Sequence, residues 1–120
     1  MAGNPSWMAL MTDEAARGDT VVLKLTGELD LDTAPQLYSC LEDIVGRGIW
    51  RIVVDASDLA FCDSIGLSAL LAAHQACDAA GGYLRLAAPD HLLVRLLSVV
   101  GLQTTIATYP TVTSALEGHP

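Results

Sequence analysis

The sequence predicts an α/β fold: a mixed β-sheet of about four to five strands, with about four helices mainly on one face. Three observations predict this class. The chain has 120 residues, a usual length for one domain. Hydrophobic residues make up 52% of it, which is enough for a packed core. Segments of alternating or β-branched apolar residues are followed by segments with helical spacing, an order typical of partly parallel sheets.

The strands are predicted from alternation and β-branching. In chain order they lie at residues 7–12, 20–27, 51–55, 83–87 and 104–108. The second shows alternation most clearly, since Val21, Leu23 and Leu25 share one face and Lys24 lies on the other. Arg85 gives the fourth strand a polar side in the same way. Because two strands have such a side, helices are expected to cover mainly one face of the sheet.

The helices are predicted from apolar residues at helical spacing, each bounded by a capping residue and a glycine. The first begins at Asp32 or Thr33, with Pro35 tolerated in its first turn, and ends at Gly46. The others span residues 64–80, 90–100 and 111–118. A polar turn is expected at residues 17–19 and a loop at residues 56–63, while residues 1–6 and 118–120 are expected to fray.

Charge and composition exclude several classes of function. The 14 acidic and 6 basic side chains give a net charge of −8, whereas a nucleic-acid binder needs a basic patch. An acidic surface instead favours a protein partner with a positive patch. No signal peptide or membrane-spanning run is visible, so the chain is expected to be cytoplasmic, with no membrane contact. No metal or cofactor is expected, because metal-ligand spacing and a phosphate-binding glycine loop are absent.

The three cysteines, Cys40, Cys62 and Cys77, each lie among apolar neighbours and form no C-x-x-C pair. They are interpreted as reduced thiols that act as small hydrophobic side chains. For Cys62 a redox effect on the adjacent loop is the alternative.

The segment FCDSIGL, residues 61–67, is the most informative part of the chain because it joins a loop to the longest helix. Asp63 or Ser64 lies at the amino terminus of that helix, and both residue types are ordinary N-caps. Capping alone would explain one of them. The functional interpretation is that Ser64 exposes its hydroxyl there, where a phosphate group is tolerated by the free N–H groups and the helix dipole.

The D-S-x-G-L run at residues 63–67 resembles the phosphorylation loop of the STAS domain of bacterial anti-sigma factor antagonists. GELD at residues 27–30, followed by Asp32-Thr33-Ala34-Pro35, resembles that family's turn after the second strand. The segments RIVVDASDLAF, residues 51–61, and Val100-Gly101-Leu102 match in order and spacing. The resemblance covers about residues 7–118, so the chain is expected to be a single STAS-like domain over residues 1–120.

The resemblance implies a function in which the unphosphorylated protein binds an anti-sigma factor that is itself a serine kinase. Binding frees the sigma factor, the kinase then phosphorylates Ser64, and a metal-dependent serine phosphatase reverses the modification. It also implies a partner surface at Asp30, Asp63, Ser64, Ile65 and Gly66. The protein itself is then not an enzyme.

One departure from the family pattern keeps an alternative open. The residue after the phosphoacceptor is often Ser or Thr in the family, and here it is Ile65. The alternative is a STAS scaffold module of a signalling or transport complex that is not phosphorylated. Asp30 can also be a turn residue without further function.

Two catalytic alternatives are rejected. A phospho-aspartate receiver domain would need an acidic pair after the first strand and a lysine after the last, which Met8–Thr12 and Thr104–Thr108 do not supply. The G-x-S-x-G elbow of hydrolases would need a glycine at Cys62 and a much longer chain. His74 is expected to edge the core, about 15 Å along one helix from Ser64.

Overall fold

The computed structural model describes residues 10–119 of the chain. The elements, in chain order, are β1 (Leu10–Arg17), β2 (Thr20–Leu29), α1 (Ala34–Gly46), β3 (Arg51–Cys62), α2 (Ser64–Ala79), β4 (Tyr83–Ala87), α3 (His91–Val99), β5 (Thr108–Tyr109) and α4 (Val112–Glu117). The predicted alternation of strands and helices is confirmed, as is the α/β class.

The sheet has five strands in the order β1-β2-β3-β4-β5. β1 pairs with β2 in antiparallel orientation, and the remaining pairs are parallel. The sheet is therefore mixed, as predicted. The parallel strands β2, β3 and β4 all end at the same edge of the sheet, so the loops that follow them meet there.

The main core lies between one face of the sheet and the helices α1, α2 and α3. Leu23 and Val54 from the strands pack there with helix residues such as Leu37, Leu70 and Leu97. The opposite face has a smaller core, formed by Val22, Val53, Ala87 and Ala115. Because Ala115 belongs to α4, this short helix covers the second face, and the predicted placement of helices mainly on one face is confirmed.

Arg85 lies on the α4 face, as its place in the alternation predicted. Its guanidinium stacks 3.6 Å from the centre of the Tyr83 ring and donates a hydrogen bond of 2.9 Å to the Ala115 carbonyl. The charge therefore helps to attach α4 to the sheet instead of facing a partner.

Several predicted boundaries were wrong. β2 continues two residues beyond its predicted end at residue 27, to Leu29. β1 continues to Arg17, beyond the predicted end at residue 12, because every residue from Leu10 to Arg17 pairs with β2; residues 7–9 of that prediction lie outside the described residues. The predicted loop at residues 56–63 is mostly strand. Residues 104–107 form turns, and β5 consists of Thr108 and Tyr109, which pair with Leu86 and Ala87.

Candidate functional site

Asp63 and Ser64 have separate positions at the start of α2. Asp63 is the N-cap, and its Oδ1 accepts a hydrogen bond of 2.7 Å from the Gly66 N–H. Ser64 is the first helical residue, and its side chain is exposed. The sequence left open which of the two caps the helix, and the structure assigns this role to Asp63. Within residues 10–119 the Ser64 hydroxyl has no hydrogen-bond partner.

The amino-terminal turn of α2 is held against the end of β2. The Asp63 N–H donates a hydrogen bond of 3.1 Å to the Leu29 carbonyl. A Cβ atom on Gly66 would lie 2.6 Å from both Leu29 Cγ and Leu29 O. Only glycine therefore allows this approach. Gly66 thus lets α2 pack closely against Leu29, and a partner's approach at this position remains a prediction.

Asp30 follows Leu29 directly, so it lies at the same edge of the sheet as the Ser64 loop. Its Oδ1 accepts hydrogen bonds from the backbone N–H groups of Asp32 at 2.9 Å and Thr33 at 3.1 Å. Thr33 in turn donates through its hydroxyl to the Glu28 carbonyl at 2.9 Å. Asp30 therefore shapes the turn before α1, and this local role is compatible with contact to a partner because the side chain is only half-buried.

The surface around Ser64 is apolar and acidic. Ile65 is 45% exposed, Phe61 is 51% exposed and Leu31 is 63% exposed, although all three are large hydrophobic residues. The loops after β2, β3 and β4 contribute Asp30, Asp32, Asp63 and Asp90 to this edge and contain neither lysine nor arginine. A mixed surface of this kind suits contact with another protein.

Cys62 lies beside this surface and is not poised for thiolate chemistry. Burial, with smaller effects from the carboxylates of Asp63 and Asp90, raises the pKa of its thiol from 9.0 to about 12. Burial also raises the pKa of Cys40 and of Cys77. All three cysteines are free, and Cys77 is fully buried while Cys40 and Cys62 are half-buried. The interpretation of the thiols as packing groups fits this arrangement.

His74 lies on α2 at the edge of the core, half-buried, as predicted. Its Nδ1 atom is buried and lacks a hydrogen-bond partner within the described part of the chain. The structure adds nothing that links it to Ser64.

A set of exposed apolar residues on α3 was not predicted from the sequence. Leu92, Val94 and Val99 are all exposed, and Leu92 and Val99 line a groove that also contains Phe61. The signal was present in the sequence, because six of the nine residues of α3 are leucine or valine, more than one buried helix face requires.

Between residues 10 and 119, no three His, Cys, Asp or Glu side chains are grouped to hold a metal ion. Over the same residues, none of the helices has the length and apolar character needed to cross a membrane.

Comparison with known proteins gives a consistent result. A family model described as "Mlab, STAS domain" matches residues 12–110. A protein of Thermotoga neapolitana, assigned as an anti-sigma factor antagonist, is 26% identical over 100 residues, which are 82% of this chain and 88% of that protein.

Two solved structures have the same fold. The crystal structure of an anti-sigma factor antagonist from Mycobacterium paratuberculosis superposes with a TM-score of 0.84 at 26% identity, covering 98% of this chain and 97% of the other. The crystal structure of the assigned antagonist from Thermotoga maritima gives a TM-score of 0.85 at 24% identity, covering 89% of this chain and 92% of the other. The family model, which spans most of the chain, and the shared fold together show that this protein belongs to the STAS domain family.

Proposed function

We propose that this chain acts as a single domain over residues 1–120 and is an anti-sigma factor antagonist switched off by phosphorylation of Ser64. The unphosphorylated form binds an anti-sigma factor with serine kinase activity and so releases the sigma factor. A serine phosphatase acting on phospho-Ser64 restores binding. The observation that carries the proposal is the exposed Ser64 hydroxyl on a helix start that Asp63 already caps.

The geometry explains why a phosphate on Ser64 would leave the fold intact. The Ser64 hydroxyl makes no hydrogen bond to the domain in residues 10–119, so none is lost on modification. The amino-terminal end of α2 carries a partial positive charge that favours an anion. Phosphorylation therefore acts on the surface, where it adds about two negative charges.

The same modification would weaken an interface built on this edge of the sheet. Ile65 and Phe61 offer apolar contact area on either side of Ser64. A dianion placed between them would lose its hydration on binding without an opposite charge built to receive it. A penalty of about 3 kcal/mol reduces affinity roughly a hundredfold.

The partner-binding residues are proposed to be Asp30, Asp63, Ser64, Ile65 and Gly66. Asp63 fixes the first turn of α2, and Gly66 allows that turn to approach Leu29. Ile65 contributes apolar contact, and Asp30 offers a carboxylate to a cationic group. The protein is proposed to work in the cytoplasm, without a cofactor and without enzymatic activity of its own.

The site assignment is tested by incubating the protein with ATP and candidate anti-sigma kinases, followed by mass spectrometry of the modified peptide. Ser68→Ala is the matched control, because Ser68 is also exposed on α2 but its hydroxyl donates to the Ile65 carbonyl. We expect Ser64→Ala to abolish modification and Ser68→Ala to retain it. Equal modification of Ser64→Ala and the parent would overturn the assignment.

A STAS scaffold that is never phosphorylated is the second candidate, favoured by the exposed Ile65 in place of a hydroxyl residue. The two candidates differ in the effect of Ser64→Asp. The switch predicts a large loss of affinity for the anti-sigma factor relative to Ser64→Ala, whereas the scaffold predicts equal affinities, measured by isothermal titration calorimetry.

A further inference from the structure

A groove of about 340 Å³ runs between the last residues of β3 and one side of α3. Leu59, Ala60, Phe61 and Cys62 line it from the strand. The strand side leads directly into Asp63 and Ser64, so the groove and the proposed phosphorylation site are continuous.

The helix side of the groove is an apolar stripe with helical spacing. Leu92, Leu96 and Val99 lie at positions i, i+4 and i+7 of α3 and line the groove together. Leu97 points into the core instead, and Leu93 belongs to the core while also lining the groove. Val99 is 74% exposed and Leu92 is 62% exposed, so both ends of this stripe are uncovered within the described chain, while Leu96 between them is half-buried against the core. An apolar stripe of this kind can pack against a second helix that runs along it.

Charge distinguishes between the possible occupants of the groove. Asp90 lines its end next to Cys62, and Asp63 follows Cys62 in the chain, so the end beside Ser64 is acidic. Arg95 lies one turn of α3 further along the groove. The whole chain carries a net charge of −8, which opposes association with a second copy and favours a cationic partner.

We propose that this groove receives an amphipathic helix of the anti-sigma factor, with leucine-type side chains over Phe61, Leu92 and Val99 and a lysine or arginine opposite Asp63 and Asp90. The inference rests on the proposed function, since it assigns a second contact to the same partner. The groove contact does not itself depend on the charge of Ser64, whereas phosphorylation of Ser64 weakens the complex at the neighbouring edge of the sheet.

The test uses a defined probe: a fluorescein-labelled, 15-residue helical peptide with leucines at i, i+4, i+7 and i+11 and lysines elsewhere. Its Kd is measured by fluorescence anisotropy against the full chain and two variants. Val99→Ser removes the most exposed groove residue. Val94→Ser is the matched control, because Val94 is also an exposed valine of α3 but does not line the groove. Circular dichroism verifies that both variants fold.

We expect Val99→Ser to raise the Kd about tenfold, since one buried valine contributes on that scale, and Val94→Ser to change it less than about threefold. A peptide with glutamates in place of the lysines should bind at least about tenfold more weakly. Amide shifts in NMR spectra should map to Phe61, Leu92 and Val99.

Equal effects of the two serine variants, absence of saturable binding, or shifts confined to the surface between α1 and α2 would each overturn the proposal. A dimer in sedimentation analysis that Val99→Ser converts to monomer would also overturn it, because a second copy would then be the occupant. The peptide assay involves no modification of Ser64. Failure of the groove and failure of the phosphorylation switch are therefore separable.

Discussion

Asp63 and Ser64 are neighbours of which either could cap α2, and the division of their roles decides what Ser64 is free to do. The Asp63 carboxylate satisfies the Gly66 N–H, so the serine hydroxyl is not needed for helix stability. From the sequence both residues were possible caps, because the choice depends on which side chain lies outside the first helical turn. That geometry is set by the Asp63 N–H bond to Leu29, a contact made between distant parts of the chain.

Replacing Asp63 by alanine should lower the free energy of unfolding by about 1 kcal/mol, because the N-cap hydrogen bond is lost. Asp63→Ser should retain most of the stability, since serine is also a good cap. Ser64→Ala should change stability by less than about 0.5 kcal/mol. Urea denaturation of the three variants measures these differences, and an equal loss in Ser64→Ala would contradict the division of roles.

Gly66→Ala is expected to destabilise the domain by about 1–3 kcal/mol, because the new methyl group would overlap the Leu29 backbone and side chain. Gly46→Ala is its control, since it also lies in a helix but has no atom within 4 Å of the added Cβ. There the better helix propensity of alanine should leave stability unchanged or raised by up to about 1 kcal/mol. Chemical denaturation distinguishes the two outcomes, and similar behaviour of both variants would contradict the close approach at Leu29.

Cys62 should react slowly with thiol reagents at pH 8, because a pKa of about 12 leaves very little thiolate in the folded protein. The unfolded thiol ionises near 9.0 and the folded thiol near 12, so the unfolded state loses its proton first. The contribution of the neutral Cys62 thiol to the free energy of unfolding is therefore complete below pH 9.0 and is lost as the pH rises towards 12. Across this pH range the free energy of unfolding should fall less steeply for Cys62→Ala than for the parent protein. Equal slopes would show that burial does not hold the thiol neutral.

Among the elements, β3 departs most from the sequence prediction. Residues 56–63 were predicted as a loop, and the polar side chains of Ser57 and Asp58 after Asp55 favour that interpretation. In the structure β3 remains paired with β2 beyond Asp55, because the register of the two strands shifts twice. The shifts lie between Lys24 and Thr26 and between Gly27 and Glu28 of β2. Leu59 thereby still reaches the core. The alternation of side chains along β3 alone cannot predict these bulges, because the extra residues of β3 become apparent only from its pairing with β2.

The predicted bounds of the short edge strand β5 were wrong for a related reason. Residues 104–108 have the composition of a strand, but only two residues of β5 pair with β4. Ile106 is fully buried, yet it packs from a bend outside the strand. By contrast, β4 and the order of all the elements followed from sequence, since their apolar patterns match the faces they bury.

The junction of α2 and β4 requires glycine at residue 82. A Cβ there would lie 1.9 Å from the Trp50 carbonyl oxygen, at the point where the Tyr83 N–H donates to that same oxygen at 2.8 Å. Gly82→Ala should therefore lower the free energy of unfolding by more than about 3 kcal/mol. Gly81→Ala has open space around it and should cost only about 1 kcal/mol for its left-handed backbone. Thermal and urea unfolding compare them, and a mild effect at residue 82 would contradict the junction geometry.

At the scale of the whole molecule, the excess of negative charge outweighs the ion pairs. The pairs found between residues 10 and 119, such as Lys24–Asp58 at 3.0 Å and Arg51–Asp19 at 2.8 Å, are all exposed and contribute little. Repulsion among the excess carboxylates acts against the compact state. We therefore expect the free energy of unfolding to rise between about 20 and 300 mM NaCl as screening weakens that repulsion. A fall over this range, in urea titrations, would indicate that the ion pairs dominate.

The carbonyl of Leu29 has a consequence for how a kinase would meet its substrate. A phosphorylation site in a disordered segment can become ordered when it binds the enzyme. Here the residue before the phosphoacceptor Ser64 is hydrogen-bonded to the end of β2, because the Asp63 N–H donates to the Leu29 carbonyl. The Asp63 amide should therefore exchange its hydrogen slowly, although it lies between a strand and a helix. The kinase must therefore recognise the folded domain, and a short peptide with the sequence of residues 58–70 should be a much poorer kinase substrate than the whole protein.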